Sequence, residues 1–179
     1  MQNLGKKFEN SVKASIPDEW FYLRLKDSAG FGQSTNENVR FTSSNLCDSL
    51  LYADGKLIPL ELKSTQGTAF SVSRDPKKSA MVKYHQIEDM NKASVYQGVY
   101  PGFLFNFRKY DKTLFLSVID LKKFMDSSEK QSINLKDIED FGGILVDSRK
   151  LKVNYRYDIK KMVSEIIERT GLNNGESNI

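Results

Sequence analysis

The sequence predicts a mixed α/β domain in which helices cover a largely mixed β-sheet, and three observations carry that expectation. An Asp54-Gly55 pair sits between two strand-forming runs, a strong hairpin signal. A second pair of apolar runs, Phe103 to Phe107 and Leu114 to Ile119, flanks the turn residues Lys109-Tyr110-Asp111-Lys112. Helical-period stripes stand at both ends: Leu4, Phe8, Val12 and Ile16, then Ile159, Met162, Val163, Ile166 and Ile167. Strands interspersed with helices in this way form one layered structure around a shared core. A length of 179 residues suits one domain and is short for two, so a single domain over 1–171 with a loose tail over 172–179 is expected.

Taken in order, the first helix spans 3 to 16 and is closed by Pro17. Gly5 and Glu9 lie on one stripe beside its apolar line. Either Gly5 lets the helix approach a neighbour closely and brings Glu9 to the contact, or Glu9 is an ordinary boundary residue. Trp20 to Leu25 reads as a strand. Asp27 to Asn38 is aperiodic and rich in turn residues, hence a loop. Arg40-Phe41-Thr42-Ser43-Ser44 leads into the hairpin; the hydroxyls of Ser43 and Ser44 either touch phosphate or simply end a strand. Thr68 to Ser73 extends a third strand. The connector Arg74 to Lys83 carries four positive residues against one acid. A helix then runs from Tyr84 to about Gln97 with Ile87 and Met90 inward, and His85 reads as a non-ligand. Asp120 is expected to cap a short helix ending at Met125. Residues 126–140 hold five acidic against two basic residues and should face away from any DNA. A short strand near Ile144 to Val146 follows. Arg149 to Lys161 interleaves six basic residues with Tyr155 and Tyr157; this suits contact with a nucleic-acid backbone and equally suits a solvated strand-to-helix junction. Asp158 caps the last helix and Gly171 ends it.

A two-residue turn at Asp54-Gly55 fixes a register in which Ala53 pairs with Lys56, Tyr52 with Leu57, Leu50 with Pro59 and Asp48 with Glu61. The missing N–H of Pro59 then points away from the partner strand, which keeps the hairpin intact unless a bulge forms there. Asp48 and Glu61 become a close, non-hydrogen-bonded pair, where like charges repel. Lys63 projects from the same face as Glu61. Two facing carboxylates and an ammonium make a divalent-metal site, since a cation removes the repulsion and Mg2+ uses one or two protein carboxylates. The alternative is a solvated strand end with a Glu–Lys contact.

Composition narrows the classes. With 39% apolar and 28% charged residues the chain is a soluble globular protein. The balance of 27 basic against 23 acidic side chains, +4, permits nucleic-acid binding without requiring it. Cys47 has no second cysteine to pair with, which fits a reducing compartment. The N-terminus becomes charged too early for a signal peptide, and no apolar run reaches membrane-spanning length. A cytoplasmic protein with no membrane partner is expected, in a bacterial cell or a phage-infected host.

Gly5-Lys6-Lys7-Phe8-Glu9, Phe41-Thr42-Ser43-Ser44, Asp48, Gly55-Lys56, Glu61-Leu62-Lys63-Ser64-Thr65 with Phe70, and His85-Gln86-Ile87-Glu88-Asp89-Met90 together resemble the RecU family of Holliday junction resolvases, within the restriction-endonuclease-like nucleases. The resemblance covers about the first 110 residues. It implies a restriction-endonuclease-like core and a Mg2+- or Mn2+-dependent phosphodiesterase that acts as a homodimer on four-way DNA junctions. It implies Asp48 and Glu61 as metal ligands, Lys63 as catalytic lysine, and Glu9 as the acid completing the site. Gln86 would orient Lys63 or the attacking water. Lys6, Arg40, Ser43, Ser44, Arg74, Lys77, Lys78 and Lys83 are the expected DNA contacts. Two departures stand out: Leu51 occupies a position where the family usually has glycine, and the long basic N-terminal arm of cellular members has no counterpart here. The expected function is structure-selective cleavage of Holliday junctions or other branched DNA by symmetric hydrolysis. A restriction- or repair-type endonuclease on another DNA substrate, and a non-catalytic DNA-binding protein on the same fold, are the alternatives.

Overall fold

A computed structural model describes residues 4–25 and 45–173. The loop expected at Asp27 to Asn38, the stretch from Arg40 through Ser44, and residues 174–179 lie outside the described residues. Helix α1 (Leu4–Lys13) precedes β1 (Phe21–Arg24), β2 (Ser49–Ala53), β3 (Lys56–Thr65) and β4 (Ala69–Ser71). Next come α2 (Tyr84–Ala93), β5 (Gly102–Phe107), β6 (Lys112–Ser117), α3 (Val118–Ser127), β7 (Ser132–Asn134) and α4 (Leu135–Asp140). The chain continues through β8 (Ile144–Leu145), β9 (Ser148–Lys150), β10 (Tyr155–Tyr157) and α5 (Ile159–Asn173).

Six of these strands form one mixed sheet in the order β1-β2-β3-β5-β6-β8, with β3 and β5 parallel and the other pairs antiparallel. Side chains alternate across it. Leu60, Leu62 and Leu104 pack with Phe8 and Val12 of α1 and with Met162 and Val163 of α5. Phe103, Phe105 and Phe107 pack on the opposite face with Ile87 and Met90 of α2 and Leu121 and Phe124 of α3. Strand β5 is buried at every position, as a strand covered on both faces must be.

The hairpin forms as the turn chemistry dictates. Asp54 has φ 49° and Gly55 φ 76°, so both central residues occupy the left-handed region of a type I′ turn. The pairs Ala53 with Lys56, Tyr52 with Leu57 and Leu50 with Pro59 are all present, and the ladder passes Pro59 unbroken.

Several expectations are corrected. Thr68 to Ser73 does not extend the main sheet; β4 pairs with β7 in a separate two-stranded sheet, because Phe70 is drawn into the aromatic cluster with Phe105 and Phe107. Helix α2 stops at Ala93, capped by Ser94, rather than near Gln97. The cap of α3 is Ser117, whose hydroxyl accepts from the Asp120 N–H; Asp120 lies in the first turn. Asp158 does cap α5, accepting from the Lys161 N–H at 3.0 Å. That helix runs through Gly171 to Asn173, since a glycine with open space around it need not break a helix. Leu4 belongs to α1 but stays 51% exposed, so the stripe buries only from Phe8 onward.

Candidate active site

Strand β2 parts from β3 one residue before the expected acid pair, although the Asp48 carbonyl still accepts from the Leu25 N–H at 2.9 Å. The β2–β3 ladder ends at Ser49 with Leu60, so Asp48 and Glu61 are not a ladder pair. Instead the Leu62 N–H, the next donor in that ladder, bonds the Asp48 carboxylate at 2.8 Å. The side chain thus stands in for the strand backbone, and Asp48 is held beside β3 just before the start of β2.

Glu61 is 2% exposed and closely partnered. Lys63 Nζ lies 2.8 Å from its Oε1, as two residues on one strand face should. Gln86 Nε2 donates to the same oxygen at 2.5 Å. Gln86 Oε1 accepts from Lys63 Nζ and from the Lys83 N–H, each at 3.1 Å. Two donors on the oxygen and a carboxylate on the nitrogen fix the amide's orientation, because the flipped amide would oppose donor to donor. The first turn of α2 therefore positions the lysine through Gln86.

The carboxylates feel each other electrostatically. Burial, then the charge of Glu61, push Asp48 up to about 6; the Leu62 N–H and Lys63 oppose this, and Glu9 adds to it. Glu9 approaches from α1 but is committed to Arg24, with its Oε2 at 2.8 Å from Nη2 and 2.9 Å from Nε. Among the described residues no group of three His, Cys, Asp or Glu side chains is placed to hold a metal ion. Cys47 is buried, and burial lifts its thiol to about 12, which removes it as a nucleophile.

Asp48, Glu61, Lys63 and Gln86 thus converge, with Glu9 nearby through its charge. Of the expected DNA contacts, Lys6 is exposed one turn before Glu9, and Lys83 is exposed immediately before α2. Lys77 and Lys78 are exposed on the connector between β4 and α2. Arg40, Ser43 and Ser44 lie outside the described residues. The Arg74 guanidinium donates to the carbonyls of Met125, Ser128 and Lys130 at and beyond the end of α3, where it caps that helix. The sequence gives no sign of the Arg24–Glu9 pair, because the periodicity of neither segment shows that the end of β1 comes within reach of α1.

The family model described as RecU, recombination protein U, matches residues 24–161. The chain belongs to the RecU family. The RecU match extends well beyond the first 110 residues and leaves the Gly5 to Glu9 segment outside it. The SPbeta prophage-derived uncharacterized protein YotM of Bacillus subtilis strain 168 is 33% identical over 181 residues, spanning 93% of this chain and 88% of that protein. A solved structure of Archaeoglobus fulgidus Hjc, a Holliday junction resolvase from an archaeal hyperthermophile, aligns with a TM-score of 0.47 and 17% identity over 79% of this chain and 95% of that one.

Proposed function

We propose that this RecU-family protein is a divalent-metal-dependent endonuclease that resolves four-way junctions or other branched DNA. The observation that carries the reading is the cluster of Asp48, Glu61, Lys63 and Gln86 formed by β3, the residue before β2 and the first turn of α2. The donor set fits a hard cation. Burial, and then the charge of Glu61, raise the cost of ionising Asp48, and Mg2+ takes one or two such oxygens with water and phosphate completing its shell. Asp48 and Glu61 would hold the ion, with Mn2+ an acceptable substitute. A cation bound there supplies Lewis-acid charge at the phosphate and hydroxide at neutral pH.

The chain's own residues do the positioning. Lys63 is anchored to Glu61 and Gln86, which leaves its remaining N–H free to steady the nucleophile or charge developing on phosphate oxygen. Glu9 stands ready to complete the acid set once DNA draws Arg24 away. Paired symmetric nicks need two such sites related by a two-fold axis, hence a homodimer. A phage-borne role is the setting favoured by the prophage relative. No described helix is long and apolar enough to cross a membrane.

Incubating the purified protein with a synthetic four-way junction and a linear control, with and without Mg2+, tests the reading. Paired nicks on the junction alone, dependent on Mg2+, are expected. Cleavage of the linear duplex at equal rate points to a restriction- or repair-type enzyme, and DNA binding with no cleavage removes the nuclease.

A further inference from the structure

The segment 149–156 carries Arg149, Lys150, Lys152 and Arg156 and no acidic residue. It forms the ribbon β9–β10, in which Arg149 lies directly opposite Arg156 and Lys150 opposite Tyr155. Like charges paired across strands are destabilising unless an opposite charge intervenes. Among the described residues, none of Arg149, Lys150 and Lys152 has an acid partner, and all three are exposed. By contrast Lys92, Lys123, Lys160 and Lys161 are each within 3.2 Å of a carboxylate.

The ribbon is anchored from behind. The Tyr157 N–H donates to Ser15 Oγ at 2.9 Å, Arg156 caps the end of α1 through the Ala14 carbonyl, and Phe8 meets the Tyr157 ring edge-on with centroids 5.6 Å apart. Tyr155 stacks beside Tyr157 with ring centroids 6.1 Å apart, and burial, then the nearby charge of Asp111 in the β5–β6 turn, raises its phenol. One feature therefore asks for negative charge: an exposed ribbon whose facing cations have no acid partner among the described residues.

We propose that the β9–β10 ribbon forms a second contact surface that grips the phosphate backbone of a duplex DNA arm, distinct from the acid-lysine cluster. The dimensions suit it, since a two-stranded ribbon fits the major groove. Arg156's anchor, the Ala14 carbonyl, lies five residues along the chain from Glu9, roughly 8 Å of helix rise. The inference rests on the reading of the protein as an enzyme of DNA.

The test is the triple variant R149Q/K150Q/K152Q, with K92Q/K123Q/K160Q as a control of equal charge change. Binding of a labelled four-way junction and a linear duplex is followed by fluorescence anisotropy in EDTA across a salt series. Each phosphate contact contributes about 0.9 to the slope of log affinity against log salt, so the triple variant should lose roughly 2 to 3 from that slope and the control little. Its melting temperature should hold or rise, because a repulsive pair is removed. An unchanged slope overturns the proposal, as does a lowered melting temperature, which would mean these cations are bonded within the fold. Unaltered DNA binding with lost retention on polyglutamate overturns it in favour of an acidic protein partner. A reduced slope without any Mg2+-dependent cleavage by the wild type keeps the ribbon and removes the nuclease. Cleavage with an unaltered slope does the reverse.

Discussion

Replacing Asp48 by asparagine separates the electrostatic burden of the acid pair from its chemistry. Asparagine keeps an oxygen for the Leu62 N–H, which bonds Asp48 at 2.8 Å, and deletes the charge beside Glu61. In the metal-free protein Asp48 titrates at about 6 instead of 3.8, a shift caused first by burial and then by Glu61. About 2 units at ~1.4 kcal/mol each set a ceiling of ~3 kcal/mol, and the position's partial exposure reduces the expected gain to about 1–2 kcal/mol. For a chain of this size that is roughly 2–8 °C in melting temperature. The sign follows from linkage. An acid whose folded pKa is raised binds its proton more tightly in the fold, so wild-type stability falls as pH rises from about 4 to about 6 and stays lowered above. Asp48→Asn lacks that fall. Thermal denaturation of metal-free protein from pH 4 to pH 8 should show wild type and variant converging near pH 4 and the variant ahead at pH 8. Added Mg2+ should stabilise the wild type and leave the variant unmoved. A variant less stable than wild type at pH 8, or a difference flat across the pH range, refutes the acid-pair reasoning.

Lys63→Met should reduce single-turnover cleavage by about a hundredfold or more while junction affinity by anisotropy stays within about twofold. Gln86→Leu, which strips Lys63 of one of its two anchors, should slow cleavage by roughly tenfold with unchanged DNA affinity; an equal fall in affinity would make Gln86 a DNA ligand. Arg74→Met should lower stability by about 1–3 kcal/mol in urea, through the lost cap on α3, and leave the salt slope of DNA binding alone. Gly55→Ala should cost about 1–2 kcal/mol, because the side chain meets open space but the backbone must hold φ 76°. Calorimetry checks the last of these.

Local chemistry explains what was legible in the sequence. The Asp54-Gly55 turn, the register through Pro59 and the shared face of Glu61 and Lys63 depend on residues a few positions apart, where turn type and pleat decide the answer. The strand end at Asp48 was misread because periodicity says nothing about where a strand departs from its partner. Gln86 reached the expected site only through family resemblance: its contact with Glu61 spans 25 residues and is set by how α2 docks on the sheet. The parallel β3–β5 pairing and the β4–β7 sheet are likewise products of tertiary packing, with Phe70 choosing the aromatic cluster over the main sheet. Tyr155 and Tyr157 fit two readings equally in the sequence, which does not show that Tyr157 is buried against Phe8 of α1.

The oxygen of Gln86 is shared between the backbone of Lys83 and the ammonium of Lys63. The opening of α2 and the lysine consequently move as one piece, and the helix is itself seated by Ile87 and Met90, both fully buried. Turnover should then be sensitive to how well a distant apolar pocket is filled. A core truncation such as Met90→Ala would be felt at the scissile phosphate as a misplaced ammonium, even in a protein that still melts cooperatively.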